Sequence, residues 1–325
     1  MAKITLRNLF TKEQHIEILS NYPNDLQAAR VYSNMLGDDT SVSRQLARWW
    51  RKVFLEFEGK QAAAKREAVA ERKLVSPSQK DDIGETSVPV VARRIMTIGD
   101  THAPYVHPDA LEFLEHLQAS YQPDIVVHMG DEVDNHAISF HDSDPNLDSA
   151  GVELEKAKQW LEKLHEIFPN VLVCDSNHGS LVYRRAKAHG LPVQFIKKYR
   201  DILFPEHGAS GWSWSEAWVL QTPLGPVRFQ HQVSGDFMLN AAHERSSLVL
   251  GHEHGRFEVQ YAASSEALYF GAYAGCLIDR KALAFEYGRL TRKKPILGCL
   301  VITDGAPQLI PMLLDDEGRW VGRKK

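Results

Sequence analysis

Five short apolar runs in this chain end at a small or polar residue and are followed at once by Asp, Asn or His. Such runs are typical of buried β-strands. Because the carboxyl ends of the strands in an open α/β sheet share one edge, we expect the five endings to converge. Carboxylate, imidazole and amide groups gathered in one crevice are suited to bind a pair of divalent cations. The side chains concerned are those of Asp100, His102, Asp131, Asn177, His231, His252 and His254.

The positions of these residues predict how two ions would share them. Asp100 and His102 are one residue apart just past a strand, so both can reach one ion from a tight loop. Asp131 follows the next strand, and its two carboxylate oxygens can bridge two ions. Mixed nitrogen and oxygen ligands without cysteine suit Mn²⁺, Fe or Zn²⁺ better than Mg²⁺, and we expect two divalent ions with Mn²⁺ favoured. The remaining ligands are Asn177, His231 and His252 for the second ion and His254 for the first.

The chemistry that two such ions support is hydrolysis of a phosphate ester. They supply an activated water, and they place positive charge where negative charge accumulates. His178 is next to Asn177, and this adjacency makes it the candidate for neutralising the phosphoryl oxygens or protonating the leaving alkoxide. We therefore expect a two-metal hydrolase in which Asp131 and His178 are the catalytic residues.

The motifs at these strand ends, taken in order, resemble the calcineurin-like metallophosphoesterase superfamily from about Arg94 to Leu314. The resemblance implies a two-sheet sandwich flanked by helices and a dinuclear metal centre. It also implies that Asp131 bridges the ions and that His178 acts near the scissile phosphate. The motifs are Gly99-Asp100-Thr101-His102, Gly130-Asp131-Glu132-Val133-Asp134, Asn177-His178, His231 and Gly251-His252-Glu253-His254.

The sequence also departs from the pattern of that superfamily. Ser176 and Gly179 flank the Asn-His pair, where the family usually has glycine before it and an acidic residue after it, so another group must orient His178. Gln232 replaces a frequent glycine, which can alter access to the second ion. Family members that are phosphoprotein phosphatases generally carry arginine where this chain has Asn135. The resemblance therefore favours phosphodiesterases, including the nuclease branch, over protein phosphatases.

Two further groups of residues have competing interpretations. Arg184 and Arg185 could bind a substrate phosphate through bidentate contacts, or they could form the solvated side of a helix. Three tryptophans cluster before a predicted strand and could stack on unpaired bases, although such clusters are more often part of a core. These are Trp212, Trp214 and Trp218.

The N-terminal segment is predicted to form three short helices. Thr11 can cap the first, Asp25 the second, and the third begins at about Ser41 after the turn at residues 37–40. A helix, a turn and an arginine-bearing helix outline a helix-turn-helix that could contact DNA. A small bundle used for oligomerisation, or for packing on the catalytic domain, fits the same pattern. The candidate DNA contacts are Arg44, Arg48, Arg51 and Lys52.

Charge and periodicity divide the chain into three parts. We predict a small all-α domain at residues 1–57, a charged flexible linker at 58–90 and the catalytic domain at 91–325. The last part alternates strands with helices near 109–118 and 152–167, followed by hairpins near 217–229 and 299–314. The expected fold class is α/β, with a second, mixed sheet formed by the later strands.

Composition limits the function classes. With 43% apolar and 25% charged residues, the 325-residue chain can bury a large core. Because its formal net charge is −4, binding to nucleic acid would require a local basic patch. Three scattered cysteines and the lack of a signal sequence or apolar span predict a cytoplasmic protein without a membrane partner.

We expect a phosphodiesterase and, within that class, a DNA nuclease. The alternatives are a phosphomonoesterase or cyclic-nucleotide phosphodiesterase whose N-terminal helices serve assembly, and a DNA-binding regulator with an inactive hydrolase fold. The intact set of ligand positions argues against the regulator.

Overall fold

The structure is a computed structural model that describes residues 10–36, 42–51, 54, 85–140, 146–288 and 294–323. These residues fall into two compact units, one within residues 1–73 and one within residues 74–325. Within the described ranges, each helix is too short or too polar to cross a lipid bilayer.

The N-terminal unit contains the helices α1 (Lys12–Asn21), α2 (Asp25–Leu36) and α3 (Arg44–Arg51). Thr11 caps α1 as predicted, through a reciprocal pair of hydrogen bonds with Gln14. The predicted capping of α2 by Asp25 is wrong, because the side chain of Asn24 accepts the N–H of Leu26 instead. The predicted turn at residues 37–40 and Lys52 lie outside the described residues.

The core of this unit is aromatic. The side chains of Tyr32 and Trp50 are fully buried, and Phe10 contacts both rings edge to face. His15 also lies in this core, and its Nδ1 is 2.9 Å from the hydroxyl of Tyr32. The three helices thus enclose a small core of their own.

Twelve strands in the described part of the second unit form two six-stranded sheets. The first sheet has the order β1-β6-β7-β8-β10-β9, and the second has the order β12-β11-β2-β3-β4-β5. The strands are β1 (Glu85–Val91), β2 (Arg94–Ile98), β3 (Ile125–His128), β4 (Val171–Cys174), β5 (Trp212–Ser215), β6 (Ala217–Thr222), β7 (Gly225–Gln230), β8 (Ser247–Leu250), β9 (Phe257–Ala263), β10 (Leu268–Ala274), β11 (Gly298–Thr303) and β12 (Ala306–Pro311).

Both sheets are mixed. In the second sheet β2, β3, β4 and β5 are parallel, whereas β11 and β12 are antiparallel to their neighbours. In the first sheet β7, β8 and β10 are parallel, and the hairpin partners β6 and β9 run the other way. Burial on both faces explains why the central strands are continuous apolar runs.

The sheets pack face to face and helices cover their outer faces. Side chains from both sheets, such as Ile95, Val127, Phe229 and Val249, meet in one buried cluster. The second sheet is covered by α4 (Ala110–Tyr121), α5 (Ala150–Ile167), α6 (Leu181–Ala188) and α7 (Tyr199–Leu203), and the first by α8 (Phe237–Glu244). The predicted α/β sandwich flanked by helices and preceded by N-terminal helices is confirmed.

The first strand differs from the prediction. Residues 85–90 belong to β1, whereas the sequence assigned them to the end of the linker, and the earlier linker residues lie outside the described part of the chain. The segment pairs in parallel with β6 at the edge of the first sheet. Its position explains why Pro89 is tolerated, because an edge strand does not need every N–H for pairing.

The tryptophans and cysteines lie in the core. Trp212, Trp214 and Trp218 are buried, and their indole N–H groups donate to the carbonyls of Phe168 and Val173 and to the carboxylate of Glu132. This arrangement confirms the core interpretation and disfavours stacking on bases. The three cysteines are buried and unpaired with one another, as predicted.

Candidate metal centre

The predicted ligands lie at the carboxyl ends of five strands, but these strands belong to two sheets rather than to one. The neighbours β2, β3 and β4 end in the segments that carry Asp100, Asp131 and Asn177. The parallel pair β7 and β8 of the first sheet ends before His231 and His252. The edge predicted from the sequence is therefore built from both layers of the sandwich.

One group of side chains consists of Asp100, His102 and His254. The Nε2 atom of His254 is 3.1 Å from Asp100 Oδ2 and 3.1 Å from His102 Nε2. The backbone N–H of His252 donates to the same oxygen, Asp100 Oδ2, at 2.7 Å. Asp100 Oδ1 is buried and has no hydrogen-bond partner among the described residues. Two imidazole nitrogens and a carboxylate therefore point at the same small volume.

A second group consists of Asp131, His231 and His252, whose ligand atoms lie within 4.8 Å of one another. Asn177 belongs beside it, because its Oδ1 atom is 2.8 Å from His231 Nε2. Asp131 Oδ2 is 3.3 Å from His231 Nε2 and 3.5 Å from His102 Nε2, so it lies between the two groups. The structure thus brings all seven predicted side chains together, with Asp131 in the middle.

Outer hydrogen bonds fix the orientation of two of these imidazoles. His102 Nδ1 is 2.6 Å from Asp134 Oδ1, so this carboxylate holds the ring in place. His231 Nδ1 is 2.8 Å from the carbonyl oxygen of Met129 and must donate to it. The proton of a neutral imidazole is then on Nδ1, and the Nε2 lone pair of each ring faces the centre.

The centre is therefore a cluster of acceptors, which is what a divalent cation requires. The Nε2 atom of His231 faces the oxygens of Asn177 and Asp131 and can donate to them only if the ring is doubly protonated. Burial alone would lower the pKa of His231, but the carboxylates of Asp131 and Asp100 raise it to about 9. Without cations, these carboxylates favour the protonated form of His231; bound cations would supply the positive charge in its place.

The carboxylate of Asp131 is strongly favoured in its ionised form. Its burial disfavours charge, but His231 and His178 outweigh this effect and hold its pKa well below the usual value. By contrast, burial lowers the pKa of His102, and the nearby positive charge of His178 adds to the effect. An ionised carboxylate beside a neutral imidazole is the combination that binds a transition metal.

Backbone strain coincides with the candidate ligands. His102, Asp131 and His252 have φ angles of 49°, 50° and 66°, in the left-handed region that side chains other than glycine seldom adopt. Such residues cost about 1–3 kcal/mol each and persist where the surroundings hold them in place. A Cβ atom at Gly251 would lie 2.5 Å from Asp100 Oδ1, so only glycine fits there. The strained backbone conformations thus occur where they bring the candidate ligands together.

His178 lies beside the centre, and its imidazole comes within 4.8 Å of the ligand atoms of His102 and Asp131. Its N–H donates to Asp131 Oδ1 at 3.1 Å, and its imidazole Nδ1 donates to the carbonyl oxygen of Asp134. The side-chain amide of Asn135 donates to the carbonyl oxygen of His178 at 3.2 Å. These contacts orient His178, which here has Gly179 after it in place of the acidic residue usual in the superfamily that the sequence resembles.

The arginines predicted to contact substrate or DNA have several kinds of environment. Arg185 donates to the carbonyl oxygens of Ile138 and Ser139, and the guanidinium groups of Arg184 and Arg185 lie over the ring of Phe140. In the N-terminal unit Arg51 faces inward and donates to the first two helices, whereas Arg44 and Arg48 are exposed. The contacts of Arg185 and Arg51 are structural, which leaves Arg44 and Arg48 as the described candidates for DNA.

Glu162, His165 and His207 form another group with metal-ligand side chains, away from this centre. His207 Nδ1 accepts the N–H of Ala209, so a neutral ring carries its proton on Nε2, which is 2.8 Å from Glu162 Oε2. This hydrogen bond accounts for the proximity of the side chains without an ion.

Glu153 is a further residue close to the centre that the sequence motifs do not include. Its side chain is buried and accepts the backbone N–H groups of His136 and Ala137, close to the centre. The available signal was its position on α5, because Glu153 lies on the same helix face as the buried residues Ala157, Leu161 and Leu164. A glutamate on an apolar stripe requires a partner.

A profile of the calcineurin-like phosphoesterase family matches residues 93–256, which is half of the chain. No curated protein gives a significant match. Among solved structures, an archaeal phosphodiesterase is 13% identical, with a TM-score of 0.36 over 67% of this chain and 99% of the other. Vps29 from Cryptosporidium parvum is 14% identical, with a TM-score of 0.33 over 68% of this chain and 97% of the other. Vps29 from Chaetomium thermophilum is 12% identical, with a TM-score of 0.36 over 71% and 93%.

Proposed function

Because this chain belongs to the calcineurin-like phosphoesterase family, we propose that it hydrolyses phosphodiester bonds with the help of two divalent cations. When bound, the cations would activate a water and neutralise negative charge on phosphorus-bound oxygens. The observation that carries this proposal is that Asp131 belongs to the group of His231 and His252 and also lies within 4.8 Å of a ring nitrogen of His102, a member of the other group. One oxygen of Asp131 lies between the inward-facing nitrogens of His102 and His231, which suits a ligand common to two ions.

The protein side chains divide the remaining work. Asp131 would hold the centre together while its second oxygen fixes the backbone of His178. His178 uses Nδ1 to contact the carbonyl oxygen of Asp134, which leaves Nε2 to contact the phosphoryl group or the leaving oxygen. Burial of the surrounding residues keeps these groups oriented before substrate binds.

The neighbourhood of His178 favours a diester over a monoester. A phosphate monoester carries close to two negative charges at neutral pH, whereas a diester carries one. Asn135 contributes no positive charge, and its amide is engaged by the backbone of His178. Arg185 is engaged by two carbonyl oxygens of the neighbouring loop. Asn135 and Arg185 therefore add little positive charge to that of the cations. This suits a diester monoanion better than a monoester dianion.

We extend the proposal to DNA as the substrate, with Mn²⁺ as the preferred metal. The support is the exposed position of Arg44 and Arg48 on α3, the third helix of a segment whose sequence predicts a helix-turn-helix. Contacts from these side chains to phosphates would supply affinity without sequence specificity.

A parallel assay tests the proposal. The full chain, reconstituted with Mn²⁺ or Zn²⁺, is incubated with bis(p-nitrophenyl) phosphate, p-nitrophenyl phosphate, cyclic nucleotides and single- and double-stranded DNA. We expect kcat/KM for the chromogenic diester to exceed that for the monoester by about tenfold, a difference of about 1.4 kcal/mol in transition-state binding. Faster monoester hydrolysis would replace the proposal with a phosphatase, and no hydrolysis of any substrate would overturn it.

A further inference from the structure

The loop from Asp134 to Phe140 follows the Asp131 segment and contacts two histidines of the site. Asp134 Oδ1 lies 2.6 Å from His102 Nδ1, and the carbonyl oxygen of Asp134 accepts the Nδ1–H of His178. The next residue, Asn135, donates to the backbone of His178. Whatever fixes this loop therefore fixes the orientation of both imidazoles.

Glu153 on α5 holds the first half of the loop. Its Oε1 and Oε2 atoms accept the N–H groups of His136 and Ala137 at 2.6 and 2.9 Å, at the start of the short 3-10 helix His136–Ile138. A carboxylate at the N-terminal end of a helical turn has favourable electrostatics. The side chain is nevertheless costly, because it is only 2% exposed and its burial raises its pKa.

Arg185 on α6 holds the second half of the loop. Its Nε donates to the carbonyl oxygen of Ile138 at 2.6 Å, its Nη2 donates to that of Ser139, and its guanidinium lies 4.2 Å from the centre of the Phe140 ring. Since α6 begins three residues after His178, Arg185 links the loop to the segment that carries this histidine.

We propose that Glu153 and Arg185 are positioning residues, which clamp the loop between α5 and α6 so that Asp134 presents His102 and His178 in their active orientations. The inference rests on the proposed phosphodiesterase function and deepens it. A negative side chain on the N–H end of the turn and a positive one on its carbonyl end match the direction of the peptide dipoles. The loop that the clamp holds also places a carboxylate beside His178, because Asp134 Oδ1 is 3.5 Å from His178 Nδ1.

The first test compares Glu153→Gln with Glu155→Gln in the full chain. The side chain that Glu153→Gln introduces has a single acceptor oxygen in place of two, so one of the two N–H groups loses its partner. Glu155 is on the same helix, with its side chain 65% exposed and paired with Lys158. At saturating metal we expect Glu153→Gln to lower kcat for the chromogenic diester about 10- to 100-fold with KM nearly constant, as for other groups that orient metal-site histidines. Glu155→Gln is expected to match the unchanged chain.

An NMR measurement reads the position of His178 without reference to turnover. The Nδ1–H of His178 in the Zn²⁺-loaded chain is expected to be observable, because its hydrogen bond to Asp134 protects it from solvent exchange. We expect this signal to persist in Glu155→Gln and to be lost or broadened in Glu153→Gln. Persistence of the signal together with an unchanged kcat in Glu153→Gln would overturn the proposal.

A second pair of variants covers the case in which Glu153→Gln does not fold. Arg185→Lys keeps the charge but cannot contact two carbonyl oxygens in the same way, and Lys187→Arg makes the reverse exchange at an exposed position of α6. We expect the same loss of kcat and of the His178 signal in Arg185→Lys only. Equal effects in Lys187→Arg, or none in Arg185→Lys, would count against the clamp.

The experiments distinguish a wrong proposed function from a wrong clamp. If the unchanged chain hydrolyses no phosphodiester with any metal, the proposed function fails, and the NMR comparison still reports on the clamp. If the unchanged chain is active and neither Glu153→Gln nor Arg185→Lys alters kcat or the His178 signal, the clamp alone is wrong.

Discussion

The two units arrange their buried polar groups in opposite ways. In the N-terminal unit Arg51 donates to the carboxylate of Asp25 at 2.7 Å and to the carbonyl oxygens of Leu19 and Tyr22, each at 2.6 Å. Donors there face acceptors, and the contacts tie α3 to the first two helices. In the second unit, acceptors face acceptors: the proton of a neutral His231 is on Nδ1, yet its Nε2 is 2.8 Å from Asn177 Oδ1 and 3.3 Å from Asp131 Oδ2.

The difference distinguishes polar groups that stabilise the fold from polar groups that bind ions or take part in chemistry. A complementary pair such as Arg51 and Asp25 is complete in itself and stabilises the fold. A cluster of acceptors is incomplete, and it requires protons or cations from outside the chain. Removal of a residue should therefore impair catalysis in the second unit and stability or binding in the first.

The largest effect is expected for Asp131→Ala, because this carboxylate lies between both ligand groups. We expect kcat/KM for the chromogenic diester to fall on the order of 10⁴-fold, or about 5.5 kcal/mol in transition-state stabilisation. Most of the bound metal should be lost as well. Steady-state kinetics and elemental analysis of the same sample measure both. Retention of two tightly bound ions would show that Asp131 is not a shared ligand.

His178→Ala should have the next largest effect, because His178 is assigned to chemistry rather than to coordination. We expect kcat to fall about 10²- to 10³-fold, within the range for general acid–base groups, while the metal content stays unchanged. If His178 protonates the leaving oxygen, the loss should be greater for a phenyl ester than for a p-nitrophenyl ester. A variant that is purified without metal would instead identify His178 as a ligand.

Arg51→Met tests the complementary pair. Loss of a half-buried, charge-assisted network should destabilise the N-terminal helices by about 2–3 kcal/mol. Hydrogen exchange of the α1 and α2 amides should then be faster, while turnover of the chromogenic diester by the second unit is unchanged. If Arg51→Met also lowered turnover of the chromogenic diester, the roles of the two units would not be separable.

The smallest effect is expected for the double variant Arg44→Glu and Arg48→Glu, which reverses two exposed charges. If both side chains contact DNA phosphates, the slope of log Kd for DNA against log salt concentration should decrease by about 1.8, at about 0.9 for each contact. Hydrolysis of the small diester should not change. An unaltered salt slope would leave assembly as the role of the N-terminal helices.

The parts of the site that the sequence predicted depend on local signals. The strand ends at Asp100 and Asp131 combine an apolar run with a Gly-Asp pair, and the hairpin turn at Asp304 and Gly305 has an equally local signature. These features need no knowledge of distant residues, which explains why the candidate ligands and the hairpin could be located.

The parts that could not be predicted depend on contacts across the fold. The clamp on the Asp134–Phe140 loop joins Glu153 and Arg185, which are 32 positions apart and carry no motif. The inward orientation of Arg51 requires the relative placement of three helices. The distribution of the strand ends over two sheets follows from strand pairing, which a pattern of apolar runs does not specify.

The number of metal ions bound per chain decides whether the seven side chains form a dinuclear centre. The purified full chain is stripped with a chelator, reconstituted with Mn²⁺ or Zn²⁺, freed of excess metal and analysed for metal per chain, with the double variant His102→Ala and His231→Ala as the control. We expect about two ions per chain in the unchanged protein and a loss of tight binding in the control. Trace occupancy in the unchanged protein, or the same occupancy in both, would show that these side chains do not form a dinuclear metal site.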